Sequence, residues 1–152
     1  MTEPILLLLS GQNLNLLGER EPSIYGTATL DDHVATATEA AAARGHSIEH
    51  VQSNHEGVLI DAIHEAGRAF QDGAVAGVVF NAGAYTHTSI ALHDAVRSVA
   101  VPVVEVHISN VHAREAFRHH SYLSPVARAV MCGFGVAGYG LAIDGLAAMA
   151  TA

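Results

Sequence analysis

Residues 5–26 read ILLLLSGQNLNLLGEREPSIYG and contain the clearest structural signal in the chain. An apolar run over Ile5–Leu9 is followed at once by a polar, glycine-containing segment over Gly11–Gly26. A run without polar alternation is typical of a strand covered on both faces, as in a parallel α/β sheet. Loops at the carboxyl ends of such strands hold the functional residues of these proteins. We therefore expect a buried first strand with a functional loop directly behind it.

Two side chains of this loop, Arg20 and Tyr25, suggest proton transfer. A guanidinium beside a phenol stabilises the phenolate, so the pair would make Tyr25 a general base supported by Arg20. Taken alone, the loop favours the alternative of a surface segment with a packing tyrosine. Residues elsewhere in the chain have to decide between the two.

The composition predicts one compact globular domain over residues 1–152, because half of the residues are apolar and only 14% are charged. The formal charge of −8 argues against a nucleic-acid or anionic-membrane partner. No apolar stretch approaches the roughly 20 residues of a membrane span, and no basic-then-apolar leader is visible at the amino end. We therefore expect a cytoplasmic protein.

The seven basic residues are all arginines, and the chain contains no lysine. Covalent catalysis through a lysine Schiff base is therefore excluded, and so is a Walker-type phosphate loop. Eleven histidines are many for this length, but the count by itself is weak evidence for a metal site.

Apolar periodicity and turn signals predict five strands that alternate with five helices. The predicted strands are Ile5–Leu9, Ser47–Val51, Ala76–Phe80, Val101–Ile108 and Arg128–Cys132. The predicted helices are Leu30–Arg44, which Thr29 caps, Glu56–Phe70, Thr88–Val99, Val111–His119 and Val136–Met149. This alternation predicts an α/β fold: a flavodoxin-like three-layer sandwich whose five-stranded parallel sheet has the order 2-1-3-4-5.

In that order, three strand ends meet at the switch point between the first and third strands, where ligands bind. Glu105 and His107 are two residues apart on the fourth strand, so their side chains should point to the same side. The residues that follow the three strand ends are Asn13, Asn81, His87, Ile108, Ser109, Arg114 and Arg118.

Several of these residues also have an ordinary structural explanation: Asn81 as a turn former, His87 as a helix boundary and Arg118 as a surface cation. His107 is harder to explain in this way, because an unpaired imidazole inside a buried apolar strand is costly. A nearby carboxylate such as Glu105 would satisfy the ring, stabilise its protonated form and suit it to donate a proton. Together these residues favour a small, polar, anionic ligand.

Five blocks of the sequence carry a specific family resemblance: GQNLNLLGEREPSIYG, QSNHEGVLIDAIHEA, NAGAYTHTSIALHDA, VEVHISNVHAREAFRHHSYLSP and GFGVAGYGLA. In this order they closely resemble the type II 3-dehydroquinate dehydratases, from Leu6 to about Leu146. The chain departs from the family at Gln12, where proline is usual, and at His93, which replaces a frequent arginine. We expect the first departure to change the stiffness of the loop and to leave the chemistry intact.

The resemblance implies dehydration of 3-dehydroquinate to 3-dehydroshikimate by anti elimination through an enolate, with no metal and no cofactor. It implies that Tyr25, supported by Arg20, removes a proton from C2. It also implies that His107, oriented by Glu105, protonates the leaving C1 hydroxyl. The resemblance further implies that Asn13 helps hold the enolate and that Ile108 and Ser109 hold the substrate carboxylate. It implies that the ring hydroxyls are bound by Asn81, His87 and Arg118. The missing lysine agrees, because the unrelated type I enzyme works through a lysine imine.

The resemblance further implies a homododecamer, a tetramer of trimers, and it marks Asp94 as a site residue. Seven residues separate His87 from Asp94 on one predicted helix, so their side chains would stand about 10 Å apart along its axis. Asp94 would then reach into the crevice of a neighbouring subunit. A solvated helix aspartate is the alternative.

Two other classes of protein are weaker explanations of the same residues. A non-catalytic flavodoxin-like binding or receiver domain predicts a phosphate-binding loop or an acidic pocket with a lysine, whereas the first strand of this chain ends in Gln12 and Asn13. A histidine-rich metal hydrolase needs three converging ligands, and no HxxxH spacing lies on a predicted site helix. We therefore favour the dehydratase, which would serve either aromatic amino acid biosynthesis in the shikimate pathway or quinate breakdown.

Overall fold

A parallel sheet of five strands forms the centre of the molecule, whose computed structural model describes residues 3–150. The strands are β1 (Ile5–Ser10), β2 (Ile48–Gln52), β3 (Val75–Asn81), β4 (Val103–His107) and β5 (Ala129–Cys132). They lie in the order β2-β1-β3-β4-β5, and each neighbouring pair is parallel. The predicted flavodoxin-like α/β fold is confirmed.

Helices cover both faces of this sheet. Within residues 3–150 the α-helices are α1 (Pro22–Tyr25), α2 (Leu30–Ala42), α3 (Glu56–Gln71), α4 (Ile90–Arg97) and α5 (Ala137–Ala150). Side chains of α3 and α4 pack on one face, and those of α2 and α5 pack on the other. None of the helices in this part of the chain is long and apolar enough to cross a membrane.

The leucines of β1 explain why its sequence shows no polar alternation. Leu7 and Leu9 point into the core beneath α3 and α4, whereas Leu6 and Leu8 point into the core beneath α2 and α5. All four are nearly or fully excluded from solvent. Since burial of one such side chain contributes about 1.5–3 kcal/mol, β1 anchors both cores at once and fixes the position of the loop that follows it.

Capping residues mark the starts of α2 and α4, and the predicted start of α4 needs a correction. Thr29 caps α2 as predicted: its hydroxyl accepts from the Asp32 N–H, and the Asp32 carboxylate accepts from the Thr29 N–H at 2.8 Å. The third long helix was predicted from Thr88, but Ser89 is its cap and α4 begins at Ile90. Threonine and serine are both good caps, so the sequence alone does not choose between neighbours.

The predicted helix over Val111–His119 is wrong. Two separate 3₁₀ turns, Val111–Ala113 and Ala116–Arg118, stand in its place. Between them Arg114 is extended, with φ −112° and ψ −162°. The break matters because it lets this arginine turn back toward the end of β4, where its guanidinium bonds to the Ser109 hydroxyl.

Two further differences concern β4 and the loop after β1. The fourth strand begins at Val103 rather than Val101, and Pro102, which lacks an N–H, lies just outside it. Within the loop, Pro22–Tyr25 forms one helical turn that the sequence did not predict. Proline at the first helical position is favourable because its missing N–H would have no partner there. This turn holds Tyr25 at its last position.

The strands β1 and β3 lie side by side, and the loops behind them touch. The Gly11 N–H donates to the carbonyl oxygen of Asn81 at 2.7 Å. A Cβ atom on Gly11 would come within 2.5 Å of the Ala82 carbonyl oxygen, so only glycine fits at this contact. The approach draws the loop after β1 over the end of β3 and forms one wall of a crevice.

Candidate active site

A crevice of about 80 Å³ opens beyond the carboxyl ends of β1, β3 and β4. This is the switch point of the sheet, where ligands of doubly wound proteins bind. The predicted site residues that line it are Asn13, Arg20, Tyr25, Asn81, His87, His107, Ile108, Ser109 and Arg118. The fold therefore brings together residues from three separate strand ends, as the sequence predicted.

A larger groove of about 530 Å³ lies along β2 and α3. Its walls are mainly small and apolar side chains, and its charged groups are the carboxylates of Glu3, Glu49 and Glu65. Volume alone would favour this groove over the crevice. The smaller crevice has imidazoles, arginines and a phenol facing one point, and that combination can move protons.

Tyr25 lies between two arginines on one wall of the crevice. The Cζ atom of Arg20 is 5.0 Å from the centre of the Tyr25 ring, and the Cζ atom of Arg114 is 5.1 Å from it. Two guanidiniums therefore lie over the Tyr25 ring, which is a cation–π arrangement. Arg20 also contacts the Glu21 carboxylate at 3.3 Å, a partly exposed pair with little energetic weight.

Arg114 is a site residue that the sequence reasoning did not assign. It lines the crevice, and its Nη1 donates to the Ser109 hydroxyl at 3.2 Å. The available signal was its position: it follows the end of β4, as Arg118 does. On the predicted helix over Val111–His119 the two arginines, four residues apart, would have shared one face, so the sequence contained this signal.

His107 lines the crevice from the end of β4, and Glu105 lies beside it on the same strand. Both side chains are almost fully buried, and His107 Nε2 lies 3.3 Å from Glu105 Oε2. The nitrogen is not aligned for a good hydrogen bond, so the contact is chiefly an ion-pair interaction. Residues two apart on a strand point to the same side, which is why the sequence spacing predicted this pair.

Glu105 does not line the crevice but lies behind His107. Ser121 donates to its Oε1 at 2.6 Å, and Ser124 donates to its Oε2 at 2.8 Å. Burial by itself raises the pKa of Glu105, but His107 and the two serine hydroxyls together bring that pKa below its usual value. The carboxylate is therefore held ionised beside the imidazole.

His87 stands next to His107, with parallel rings whose centres are 6.2 Å apart. Its Nδ1 donates to the carbonyl oxygen of His120 at 2.8 Å, which fixes the ring and leaves Nε2 free to face the crevice. Burial lowers the pKa of His87, and the charges of His107 and Arg118 act in the same direction. A neutral ring is therefore favoured, and with its hydrogen on Nδ1 it accepts through Nε2.

The two asparagines of the site are held by different means. Asn13 has a left-handed backbone with φ 65°, and its N–H donates to Asn54 Oδ1 at 2.9 Å. Asn81 is buried; its Nδ2 donates to the Tyr139 hydroxyl at 3.0 Å, and its Oδ1 accepts from the Gly83 N–H at 3.1 Å. Backbone strain at a non-glycine residue is typical of functional loops.

Arg118 and Asp94 complete the predicted set. Arg118 lines the crevice, and its Nε donates to Glu115 Oε2 at 2.8 Å. Asp94 is exposed on α4 and lies outside the crevice lining. The predicted common helix of His87 and Asp94 is wrong, because His87 ends a 3₁₀ turn over Gly83–His87 that precedes α4.

Histidines, cysteines and carboxylates elsewhere do not gather into a metal site within the described residues. Across positions 3–150 there is no group of three or more such side chains that could hold a metal ion.

Comparison with known proteins agrees with this geometry. The profile of the family described as Dehydroquinase class II matches residues 4–147. The chain belongs to this family. Its resemblance in five sequence blocks is thereby confirmed over nearly the whole length, and the crevice takes its place as the candidate active site of a class II dehydroquinase.

Individual members of the family are similar over almost their full lengths. The chain is 64% identical over 141 residues to a 3-dehydroquinate dehydratase of Marinomonas sp. (strain MWYL1), covering 93% of this chain and 94% of that protein. It is 64% identical over 147 residues to a 3-dehydroquinate dehydratase of Acidovorax sp. (strain JS42), covering 97% and 99%. The crystal structure of type II dehydroquinase from Butyrivibrio crossotus DSM 2876 superimposes with a TM-score of 0.88 at 43% identity, covering 95% of this chain and 97% of that one.

The residue at which this class II dehydroquinase departs from the usual proline, Gln12, links two loops. Its carboxamide is oriented by its surroundings so that Nε2 donates to the Ala82 carbonyl oxygen at 2.8 Å and Oε1 accepts from the Ala84 N–H at 2.7 Å. Proline stiffens a loop through its ring, whereas this glutamine ties the loop after β1 to the turn after β3. The expected change of loop stiffness remains a prediction.

The second departure, His93, also has a defined contact. It lies on α4, and its Nδ1 donates to the carbonyl oxygen of Tyr122. The segment that this bond holds continues into Ser121 and Ser124, which bond to Glu105. In this class II dehydroquinase the histidine therefore helps fix the backing of the His107 wall.

Proposed function

We propose that this chain dehydrates 3-dehydroquinate to 3-dehydroshikimate through the acid and base walls of the crevice. Membership of the class II dehydroquinases supports the reaction. The observation that carries the assignment of roles is that one crevice is lined both by Tyr25, with Arg20 and Arg114 over its ring, and by His107, whose partner is Glu105.

In the first step the Tyr25 phenolate removes the proton from C2 of the substrate. The C2–H bond breaks, and its electron pair moves into the enolate of the neighbouring carbonyl. Arg20 and Arg114 stabilise the phenolate beforehand, since both guanidiniums lie about 5 Å from its ring. Asn13, at the end of β1, holds the developing enolate oxygen, and no cofactor takes part.

In the second step the imidazolium of His107 donates a proton to the C1 hydroxyl. The enolate electron pair forms the C1–C2 double bond, the C1–O bond breaks, and water leaves. The base and the acid act on opposite faces of the substrate ring, so that the elimination is anti. The proton on Tyr25 then exchanges with solvent, and His107 regains its own proton beside Glu105.

The remaining lining residues bind the substrate. The strand-end groups of Ile108 and Ser109 receive the carboxylate, and the contact between Ser109 and Arg114 places a cation close to it. Asn81, His87 and Arg118 bind the ring hydroxyls.

We propose that the loop over Gly11–Gly26 opens to admit the substrate. The crevice has about 80 Å³, whereas pockets for small molecules typically have ~300–1,000 Å³. The wall that can move is the loop, because its residues are more exposed than those of β3 and β4. Opening admits the substrate, and closing brings Tyr25 to C2.

The reaction is tested by adding 3-dehydroquinate to the purified protein and following the absorbance of the conjugated enone of the product. We expect enone formation, and we expect the rate to be unchanged after exhaustive chelation. Absence of the enone with a folded protein would overturn the proposed reaction. A rate that falls on chelation and returns with added metal would overturn the metal-free mechanism.

We further propose that the enzyme is a cytoplasmic homododecamer of four trimers in which Asp94 completes a neighbour's crevice. Its exposed position on α4, away from its own crevice, supports this role. Exposed large apolar side chains also support assembly: Ile90 at 58%, Phe117 at 67%, Val130 at 50% and Phe134 at 58%.

The shared site is tested by mixing two inactive variants, Asp94→Ala and Tyr25→Phe, after dissociation and reassembly. Some mixed crevices would combine an intact Tyr25 with an intact Asp94 from different chains, so activity should partly return. Verified mixed trimers without activity, or a fully active monomer, would contradict the shared site.

A further inference from the structure

A chain of buried polar groups runs behind the crevice, from Asn81 at the end of β3 to His50 on the edge strand β2. Asn81 Nδ2 donates to the Tyr139 hydroxyl at 3.0 Å. The Ser10 side chain is a hydrogen-bonding partner of the same hydroxyl, and Ser10 Oγ lies 3.0 Å from His50 Nε2. The catalytic steps above use none of Tyr139, Ser10 and His50.

Because these polar groups are buried, each of them needs its hydrogen-bonding partner within the protein. Ser10 and Tyr139 are fully buried, and Asn81 is 3% exposed. A buried donor or acceptor that loses its partner costs far more than a surface one, because water cannot replace the bond. The donor or acceptor role of each residue therefore restricts the role that its neighbour in the hydrogen-bonded chain can take.

The donor and acceptor of each hydrogen bond in this chain of polar groups can be assigned by starting from Asn81. Because Asn81 Oδ1 accepts from the Gly83 N–H, the amide nitrogen must point to Tyr139 and donate to its oxygen. The phenol hydrogen is then free for Ser10, and the Ser10 hydrogen is free for His50 Nε2. The order is consistent when that imidazole nitrogen carries no proton.

The ionisation of both rings supports this order. Burial raises the pKa of Tyr139 to about 12, so its phenol keeps the hydrogen that it has to donate. Burial lowers the pKa of His50, and the opposing charge of Asp31 does not cancel the effect. A neutral His50 can accept from Ser10.

These bonds fix the orientation of the Asn81 carboxamide, so that its amide nitrogen is a hydrogen-bond donor to the crevice. One hydrogen of Asn81 Nδ2 is used by Tyr139, and Oδ1 is turned to Gly83. The second Nδ2 hydrogen is left for a ligand in the crevice that Asn81 lines. We propose that Tyr139, Ser10 and His50 are positioning residues that lock the Asn81 carboxamide as a donor to a substrate oxygen. This inference rests on the proposed function, because it requires Asn81 to bind the substrate.

The test is a double-mutant cycle between Tyr139→Phe and Asn81→Ala, measured by enone formation. Tyr139→Phe keeps the ring and removes the hydroxyl, which frees the amide to rotate. We expect kcat/KM to fall by about 10-fold, mostly through a higher KM. In the Asn81→Ala background the same change should alter kcat/KM by less than about 2-fold, since its effect passes through Asn81.

Tyr122→Phe is the matched control, because it removes a tyrosine hydroxyl outside the chain of bonds. It should leave kcat/KM within about 2-fold of the parent value. Equal losses from Tyr139→Phe in both backgrounds would overturn the inference, and so would an unchanged kcat/KM in the folded single variant.

His50, at the other end of this hydrogen-bonded chain from Asn81, allows a test that does not disturb the core. His50 lies on the edge strand and is only partly buried. His50→Gln keeps a polar side chain of similar reach that can accept from Ser10, whereas His50→Leu removes the acceptor. We expect His50→Leu to raise KM and His50→Gln to restore it; equal KM values for the two would overturn the role of His50. An inactive parent enzyme would overturn the proposed function itself, whereas an active parent with an uncoupled cycle overturns the positioning role alone.

Discussion

The two walls of the crevice are built in opposite ways. The acid wall belongs to β4: His107 and Glu105 have side-chain exposures of 7% and 2%, and two serine hydroxyls fix the carboxylate. The base wall belongs to a loop: Arg20 is 32% exposed, and Tyr25 ends a single helical turn. One wall is part of the folded core, and the other belongs to a more exposed loop. Under the proposed function, such a site would combine a preorganised acid with a base that arrives on loop closure.

The largest effect is expected from the base. Tyr25→Phe keeps the ring between the two arginines and removes the proton acceptor, so kcat should fall by at least the ~10²–10⁴-fold typical of general-base loss. Enone formation measures the rate, and calorimetry with 3-dehydroshikimate checks that the crevice still binds its product. A kcat near that of Tyr122→Phe, the control, would mean that Tyr25 is not the base.

The next effect separates the two steps. His107→Ala should slow water loss by about 10²-fold or more, but it should slow exchange of the C2 proton with solvent much less, because Tyr25 remains. Proton NMR in deuterated buffer measures exchange, and absorbance measures product. His112→Ala, an exposed histidine nearby, is the control. Equal losses in both measurements would show that His107 positions the substrate for the first step instead.

A smaller effect tests the pair of arginines around Tyr25. Arg20→Ala should reduce kcat/KM by roughly 10-fold at neutral pH, and raising the pH should recover part of the loss, because an unsupported phenol ionises later. Arg114→Ala should do the same, since both guanidiniums lie at nearly equal distances from the ring. Profiles of kcat/KM against pH, with the exposed Arg97→Ala as control, check this. A profile that keeps its shape would remove the arginine concerned from the base wall.

The difference between the walls also explains what the sequence could predict. The strand order followed from continuous apolar runs such as Ile5–Leu9 alternating with helix signals, and the strand order placed the residues of three strand ends together. The pair Glu105 and His107 followed from strand geometry alone. These features depend on local pattern and on a regular sheet, which few alternatives satisfy.

What the sequence could not predict depends on tertiary contacts. Residues 111–119 have helical composition, yet Arg114 leaves the helical path to bond to Ser109 and to cover Tyr25. The turn Pro22–Tyr25 and the link from Gln12 to the Ala82 carbonyl exist because two distant loops meet. Tertiary contacts override the intrinsic helix propensity of a segment when they stabilise another conformation more strongly.

The smallest effect contrasts His107 with a second buried histidine that has no carboxylate behind it. His33 on α2 is fully buried against the Tyr139 ring, and within residues 3–150 neither of its ring nitrogens has a hydrogen-bonding partner. Burial lowers the pKa of His33 below its usual 6.5, and the nearby charge of Asp32 only partly opposes this. Because the unfolded chain then binds the proton more readily, stability is complete above about pH 6.5 and falls as the pH drops below it. Urea unfolding at fixed protein concentration, between pH 8 and pH 5, should therefore show a midpoint that falls more in the parent than in His33→Leu. The same substitution at the exposed His55 is the control and should leave the pH dependence of the parent intact. A His33→Leu protein with the parent's full pH dependence would place the acid sensitivity elsewhere in the chain.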